Sequence, residues 1–188
     1  IGVAEGNLEV TNLIRAELGM PPWQPGAMQM FSMGDLVKER TARYSDNGVV
    51  VDSASHEAES KRIVDQYGPA MEKPWKEADF PEMAEVLKRN AASLKVITDG
   101  VKRPKYYRPM VKRNPEETLI MILLPDIQVS REFARQLAMR AMLHLAHGRV
   151  QEAKEDLWTM HRLGAHISHG ATLIEGLVGV AIDSIAAA

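Results

Sequence analysis

In the segment after Gly148, Ala153, Leu157, Met160, Gly164 and Ile167 recur at helical spacing. At about 100° per residue they fall in one narrow stripe, the pattern of an α-helix with a buried face. Before Gly148 the same period gathers Ala134, Leu137, Ala141 and Leu145. Two apolar-faced helices joined at one glycine predict a tight antiparallel hairpin, so the chain is expected to be built from helices.

The rest of the chain repeats this grammar, helical periods punctuated by Gly and Pro. Val10, Leu13, Ile14 and Leu18 share a face before Gly19 and Pro21-Pro22, and Pro21–Met33 reads as an irregular loop. Short helices are predicted over Leu36–Tyr44 and over Ser55–Tyr67, the latter ending at Gly68-Pro69. Asp46-Asn47-Gly48 is a turn, and Val49-Val50-Val51, the one β-like run, has no visible partner and is expected to be an extended connector. Asp79-Phe80-Pro81-Glu82 predicts an Asp-capped helix start. Met83, Val86, Leu87, Asn90, Leu94 and Ile97 carry that helix to about Asp99, with Asn90 buried and hydrogen-bonded. A helix over Pro115–Leu124 is expected to be interrupted by Pro125 and followed by helices over 127–147, 149–167 and 171–187. The fold expected is all-α: antiparallel helical hairpins stacked in a tetratricopeptide-like arrangement, with an irregular, loop-rich N-terminal region. Residues 1–188 form one helical domain, 1–74 the loop-rich part and 75–188 the stack.

The 188 residues carry a net charge of −2, which argues against bulk attraction to nucleic acid or membrane. Eleven methionines against 5% aromatics point to an aliphatic, methionine-filled core. Without cysteine there are no disulfides, thiolate metal sites or cysteine nucleophiles. The sequence opens at Ile1 and stops in a helical pattern, which reads as part of a longer chain, and any membrane attachment is expected only through an anchor ahead of Ile1. The apolar runs Thr118–Leu124 and Ala171–Ala188 are respectively too short and too interrupted by glycine to span a bilayer.

Leu137, Ala141, Gly148, Val150, Ala153, Leu157 and Met160 are spaced as in a tetratricopeptide-type helix pair, which the segment resembles. Arg140 stands where that motif is usually apolar, Leu137 and Val150 replace its Trp and Tyr, and Ala165 replaces its closing proline. Over roughly residues 75 to 188, Trp75…Asp79-Phe80-Pro81, Arg103-Pro104-Lys105-Tyr106-Tyr107, Leu123-Leu124-Pro125 and His161-Arg162-Leu163-Gly164…Gly170-Ala171-Thr172-Leu173-Ile174-Glu175-Gly176-Leu177-Val178 resemble an uncharacterised all-helical family of planctomycete-type bacteria. That resemblance implies a helical fold, often behind an N-terminal anchor or signal, and supplies no activity or catalytic residues.

Five of the six histidines, His144, His147, His161, His166 and His169, lie in this hairpin. Folding about Gly148 puts His144 and His147 at its closed end and His161 to His169 more than ~12 Å further along, at 1.5 Å per residue. One metal ion cannot collect ligands from both groups, because its imidazole nitrogens must lie about 2 Å away. No metal and no cofactor are expected. His161 flanks the core stripe, while Trp158, Arg162 and His166 share the opposite side, with Trp158 expected to be covered by the N-terminal half. These four are the candidate ligand or partner site. Glu152, Glu155 and Asp156 read as a solvated acidic face.

The run Val101–Arg113 interleaves cations with tyrosines, and Lys102, Arg103, Lys105, Tyr106, Tyr107 and Arg108 are the candidates for contacting a nucleic acid. The bland alternative is a loop whose tyrosines pack inward while its cations stay in water. Phosphate-cradling, nucleophile-elbow, zincin and dinucleotide motifs are missing from the sequence. The expected function is a protein–protein interaction or scaffolding module without catalysis, its protein partner unknown. The alternatives are a small-ligand binder or enzyme with a pocket near Trp158, His161 and His166, and a nucleic-acid binder acting through 102–113.

Overall fold

A computed structural model describes residues 8–17, 19, 22, 30–46, 48–106, 116 and 118–187. Nine α-helices lie among them: α1 Leu8–Glu17, α2 Met33–Thr41, α3 Ser53–Val64, α4 Tyr67–Glu72, α5 Pro81–Arg89, α6 Ala91–Gly100, α7 Leu119–Ala146, α8 Val150–Ser168 and α9 Leu173–Ala187. The protein is predominantly helical. None of these helices is long and apolar enough to cross a membrane.

The valine run departs from its expected state. Strand β2, Val49–Val50, pairs antiparallel with β1, Ser45–Asp46, so the run has a partner across the tight turn at Gly48. Gly48 takes a φ of 81°, which a glycine adopts without steric cost. With α2, α3 and α4, this hairpin makes the span from Met33 to Glu72 more regular than a loop-rich region. Most of the loop expected over Pro21–Met33 lies outside the described residues.

Three proline positions also correct the sequence-based expectation. Gly68-Pro69 does not end a helix; it forms the first turn of α4, where the backbone N–H has no intrahelical acceptor and proline loses nothing. Pro81 does begin α5, but Phe80 occupies the cap position, and Asp79 accepts from the Lys76 backbone N–H at 2.8 Å. Pro125 falls inside α7, which runs through it unbroken. Proline removes one rung of the hydrogen-bond ladder there, and the long packed stretch that follows holds the remainder.

The helix expected from Pro81 to Asp99 breaks at Asn90, which lies between α5 and α6. Asn90 is buried and hydrogen-bonded, as its place on the apolar face predicts. It accepts from the Phe31 backbone N–H at 2.8 Å, and its amide donates to the Phe31 carbonyl at 2.6 Å and to Gln136 Oε1 at 2.8 Å. Gln136 donates in turn to Glu132 at 3.1 Å, and Glu132 accepts from the Tyr67 hydroxyl at 2.7 Å. One polar chain thus ties the N-terminal approach, α4, the α5–α6 joint and α7 together. Asn90→Ala strands the Phe31 amide and one oxygen of Gln136, and we expect a loss of about 2 kcal/mol by urea denaturation. An unchanged midpoint would remove Asn90 from this role.

Around that chain the buried side chains form one cluster, from Leu36 and Ile63 through Met83 and Leu94 to Phe133, Leu137, Met160 and Ile182. Trp75 joins it from the loop before α5, donating from Nε1 to the Met139 carbonyl at 3.2 Å and packing 5.6 Å from the Phe80 ring. The α7–α8 turn closes with Gly148 at φ 71°. Gly148 N–H bonds to Leu145 O at 3.0 Å and Arg149 N–H to His144 O at 2.9 Å, the paired bonds of a Schellman stop. Helix α8 returns along α7, and α9 returns along α8.

Candidate functional site

The closed end of the α7–α8 hairpin holds a charged group that the sequence pattern concealed. Arg140 donates from Nε to Asp156 Oδ2 at 3.0 Å and from Nη2 to Oδ1, a two-pronged pair across the hairpin. Asp156 is 3% exposed, so it is not part of a solvated acidic face with Glu152 and Glu155. Its spacing held the signal: Asp156 lies three residues after Ala153 and four before Met160, on the buried seam. Arg140 and Asp156 stand at equal distances along the chain from Gly148, so the hairpin sets them opposite each other.

His144 borders the same pair, with Nε2 3.6 Å from Asp156 Oδ2 and a buried Nδ1 that has no hydrogen-bond partner among the described residues. Burial pushes its pKa down, with Asp156 pulling the other way. The imidazole is therefore held toward its neutral form. His147 turns outward, Nε2 3.0 Å from Glu77 Oε2.

The four residues proposed from the sequence as one patch divide into two places. His161 donates from Nδ1 to Asp183 of α9, and its ring lies 6.1 Å from that of Trp158. Trp158 is 64% exposed, so the N-terminal half does not cover it as expected. Its described ring partner is His161, while Arg162, one helical turn further on, is exposed. His166 is half-buried elsewhere, donating from Nε2 to the Val101 carbonyl at 3.0 Å and stacking 6.0 Å from the Tyr106 ring. His169 donates to the Ala165 carbonyl at 2.7 Å, within its own helix end. The five histidines thus take five separate partners. Among the described residues, no three His, Asp or Glu side chains stand close enough to hold one metal ion.

His166 anchors the start of the basic segment. Tyr106 packs on it, half-buried, while Lys102, Arg103 and Lys105 are exposed. Lys102 lies 3.5 Å from Asp99, whose carboxyl is held below its ordinary pKa chiefly by the hydrogen bond from Lys95. Tyr107 and Arg108 lie outside the described residues.

Helix α9 carries two further features, a capping box at its start and an uncovered apolar ridge. Thr172 and Glu175 form a capping box: the Thr172 N–H and Oγ1 donate to Glu175 Oε2 at 3.1 and 2.8 Å, and Glu175 N–H returns a bond to Thr172 Oγ1 at 3.2 Å. The Glu175 carboxyl is buried against Gly170, where a Cβ would stand 2.6 Å from Oε2. Opposite the packed face of α9, Leu173, Leu177 and Val180 are 79%, 62% and 62% exposed. They sit at i, i+4 and i+7, one uncovered apolar ridge. No family model matches the sequence, and no curated protein or solved structure matches it either.

Proposed function

We propose that the chain is an interaction or scaffolding module without catalysis, its last three helices stacked in tetratricopeptide-like fashion. Its docking surface is the outer face of α9, continued by Trp158. The occupant is an amphipathic helix of a partner protein. The uncovered ridge Leu173, Leu177 and Val180 carries this reading, because its spacing fits the ridge-and-groove packing of a second helix. Covering a leucine or valine is worth about 1.5–3 kcal/mol each. Trp158, linked through His161 to Asp183 one turn beyond Val180, supplies the kind of aromatic anchor that dominates such contacts. Arg162, exposed one turn along from Trp158, favours a partner helix with a carboxylate beside its apolar ridge.

The test compares the wild-type chain with Leu177→Glu, whose exposed site spares the fold, in capture from native cells. Hydrogen exchange is then measured on the captured complex. We expect a protein partner retained by the wild type and lost with Leu177→Glu, with new protection confined to α9 and the Trp158 turn. Equal capture by both chains, or protection elsewhere, overturns the proposal. So does self-association through α9 in sedimentation of the pure chain, because the occupant is then a second copy.

A further inference from the structure

A concave place lies away from the α9 ridge, between the loop at Glu77, helix α5 and helix α7. Its volume is about 500 Å³, within the range of small-molecule sites. Ala84, Leu87 and Leu143 give it an apolar wall, and the cationic side chains Lys88 and Arg140 also line it.

Neighbouring contacts decide which charges are open to a ligand. Glu85 also lines the recess, but its two oxygens are taken by Arg40 and Arg89. Glu77 is engaged by His147 at 3.0 Å. Arg140 is pinned by Asp156 through Nε and Nη2, a pair in which Nη1 takes no part. Lys88, exposed at the end of α5, has no ion pair among the described contacts. What remains uncommitted is cationic, set beside apolar surface, in a recess rimmed by two carboxylates.

From this we infer that the recess binds a small monocarboxylate with an apolar body. Its carboxylate meets Lys88 and Arg140, and its carbon chain covers Ala84, Leu87 and Leu143. The charges left over explain the preference for a single negative charge. Arg140 is already matched by Asp156, so of the two lining cations Lys88 alone is unbalanced. One carboxylate balances it, whereas the second charge of a phosphate monoester or a dicarboxylate would be left without a partner. Arg140 is preorganised by its buried partner, so little side-chain freedom is lost when the ligand arrives. His144 also lines the recess, and burial holds its imidazole toward the neutral form, so it works against adding a further positive charge there. This site does not depend on the α9 surface, and either proposal can fail while the other stands.

The probe is sodium hexanoate, titrated into the ¹⁵N-labelled chain and read by amide chemical shifts. Hexylamine and adipate serve as the cationic and dianionic counterparts of similar length. We expect hexanoate to saturate below about 10 mM, the range set by its few heavy atoms. The shifts should cluster at residues 77–88 and 140–144. Lys88→Glu, at an exposed position, should weaken hexanoate about tenfold or more, and Lys88→Arg should keep it. No saturation, shifts centred elsewhere, hexylamine or adipate binding as tightly as hexanoate, or an unchanged affinity in Lys88→Glu would each overturn the assignment.

Discussion

Gly179→Ala destabilises the protein by about 3 kcal/mol in urea denaturation, at the upper end of what overpacking usually costs. The reason is the crossing of α8 and α9. A Cβ on Gly179 would lie 2.5 Å from the Gly164 carbonyl oxygen and 2.7 Å from the Ser168 backbone nitrogen. These are backbone atoms, so the two helices must separate, and no side-chain rotation relieves the overlap. Gly164 mirrors the relation, its missing Cβ 2.8 Å from the Gly179 carbonyl oxygen. Separating the helices loosens the burial of Leu163, Ile167, Val178 and Ile182 together. Gly176 is the internal control. Nothing stands within 4 Å of its missing Cβ, so Gly176→Ala should stabilise α9 by up to about 1 kcal/mol through helix propensity alone. A Gly179→Ala variant as stable as the wild type would show that the helices do not cross this closely.

Features set by local backbone chemistry were legible in the sequence. Gly148 marks the hairpin turn because its Schellman stop needs a left-handed residue, and the α8 stripe follows directly from the helical period. Asn90 could be placed as buried because a polar residue on an apolar face must find partners. That those partners are Phe31 and Gln136 could not be read, since they lie 59 and 46 residues away in the chain.

The misplaced features depend on what packs against what. Gly68-Pro69 and Pro125 look like terminators in isolation, but a proline is tolerated in a first turn and can be carried by a long packed helix. The α9 ridge was hidden for a different reason. Leu173, Leu177 and Val180 are as apolar as Val178 and Ile182, so periodicity alone does not say which side meets α8. The capping pairs Ser32/Asp35 and Thr172/Glu175 have the i, i+3 spacing of a capping box, a local signal carried by the sequence itself. They fix the starts of α2 and α9. Trp158 was expected to be buried on the general habit of large aromatics. Its exposure is what turns the candidate site from a pocket into a surface.

Arg140→Met should cost about 3–5 kcal/mol, the usual penalty for leaving a buried charge alone, because Asp156 stays enclosed with no guanidinium to meet it. Asp156→Leu should cost less, since the Arg140 side chain is 22% exposed and can carry its charge toward water. The double variant Arg140→Met/Asp156→Leu should return close to wild-type stability or exceed it, with both charges replaced by apolar groups of similar size. The coupling from this cycle separates two roles for the pair. A large coupling energy with an unchanged fold in the double variant makes the pair a fixture that sets where α7 meets α8, replaceable by good packing. It also detaches stability from binding, because the double variant keeps the hairpin but removes the guanidinium from the recess wall. Hexanoate affinity should then fall in a protein that denatures at a urea concentration no lower than about that of the wild type. A single Arg140→Met variant within 1 kcal/mol of the wild type would show that Asp156 is not held in a dry interior, and the preorganised arginine would lose its basis.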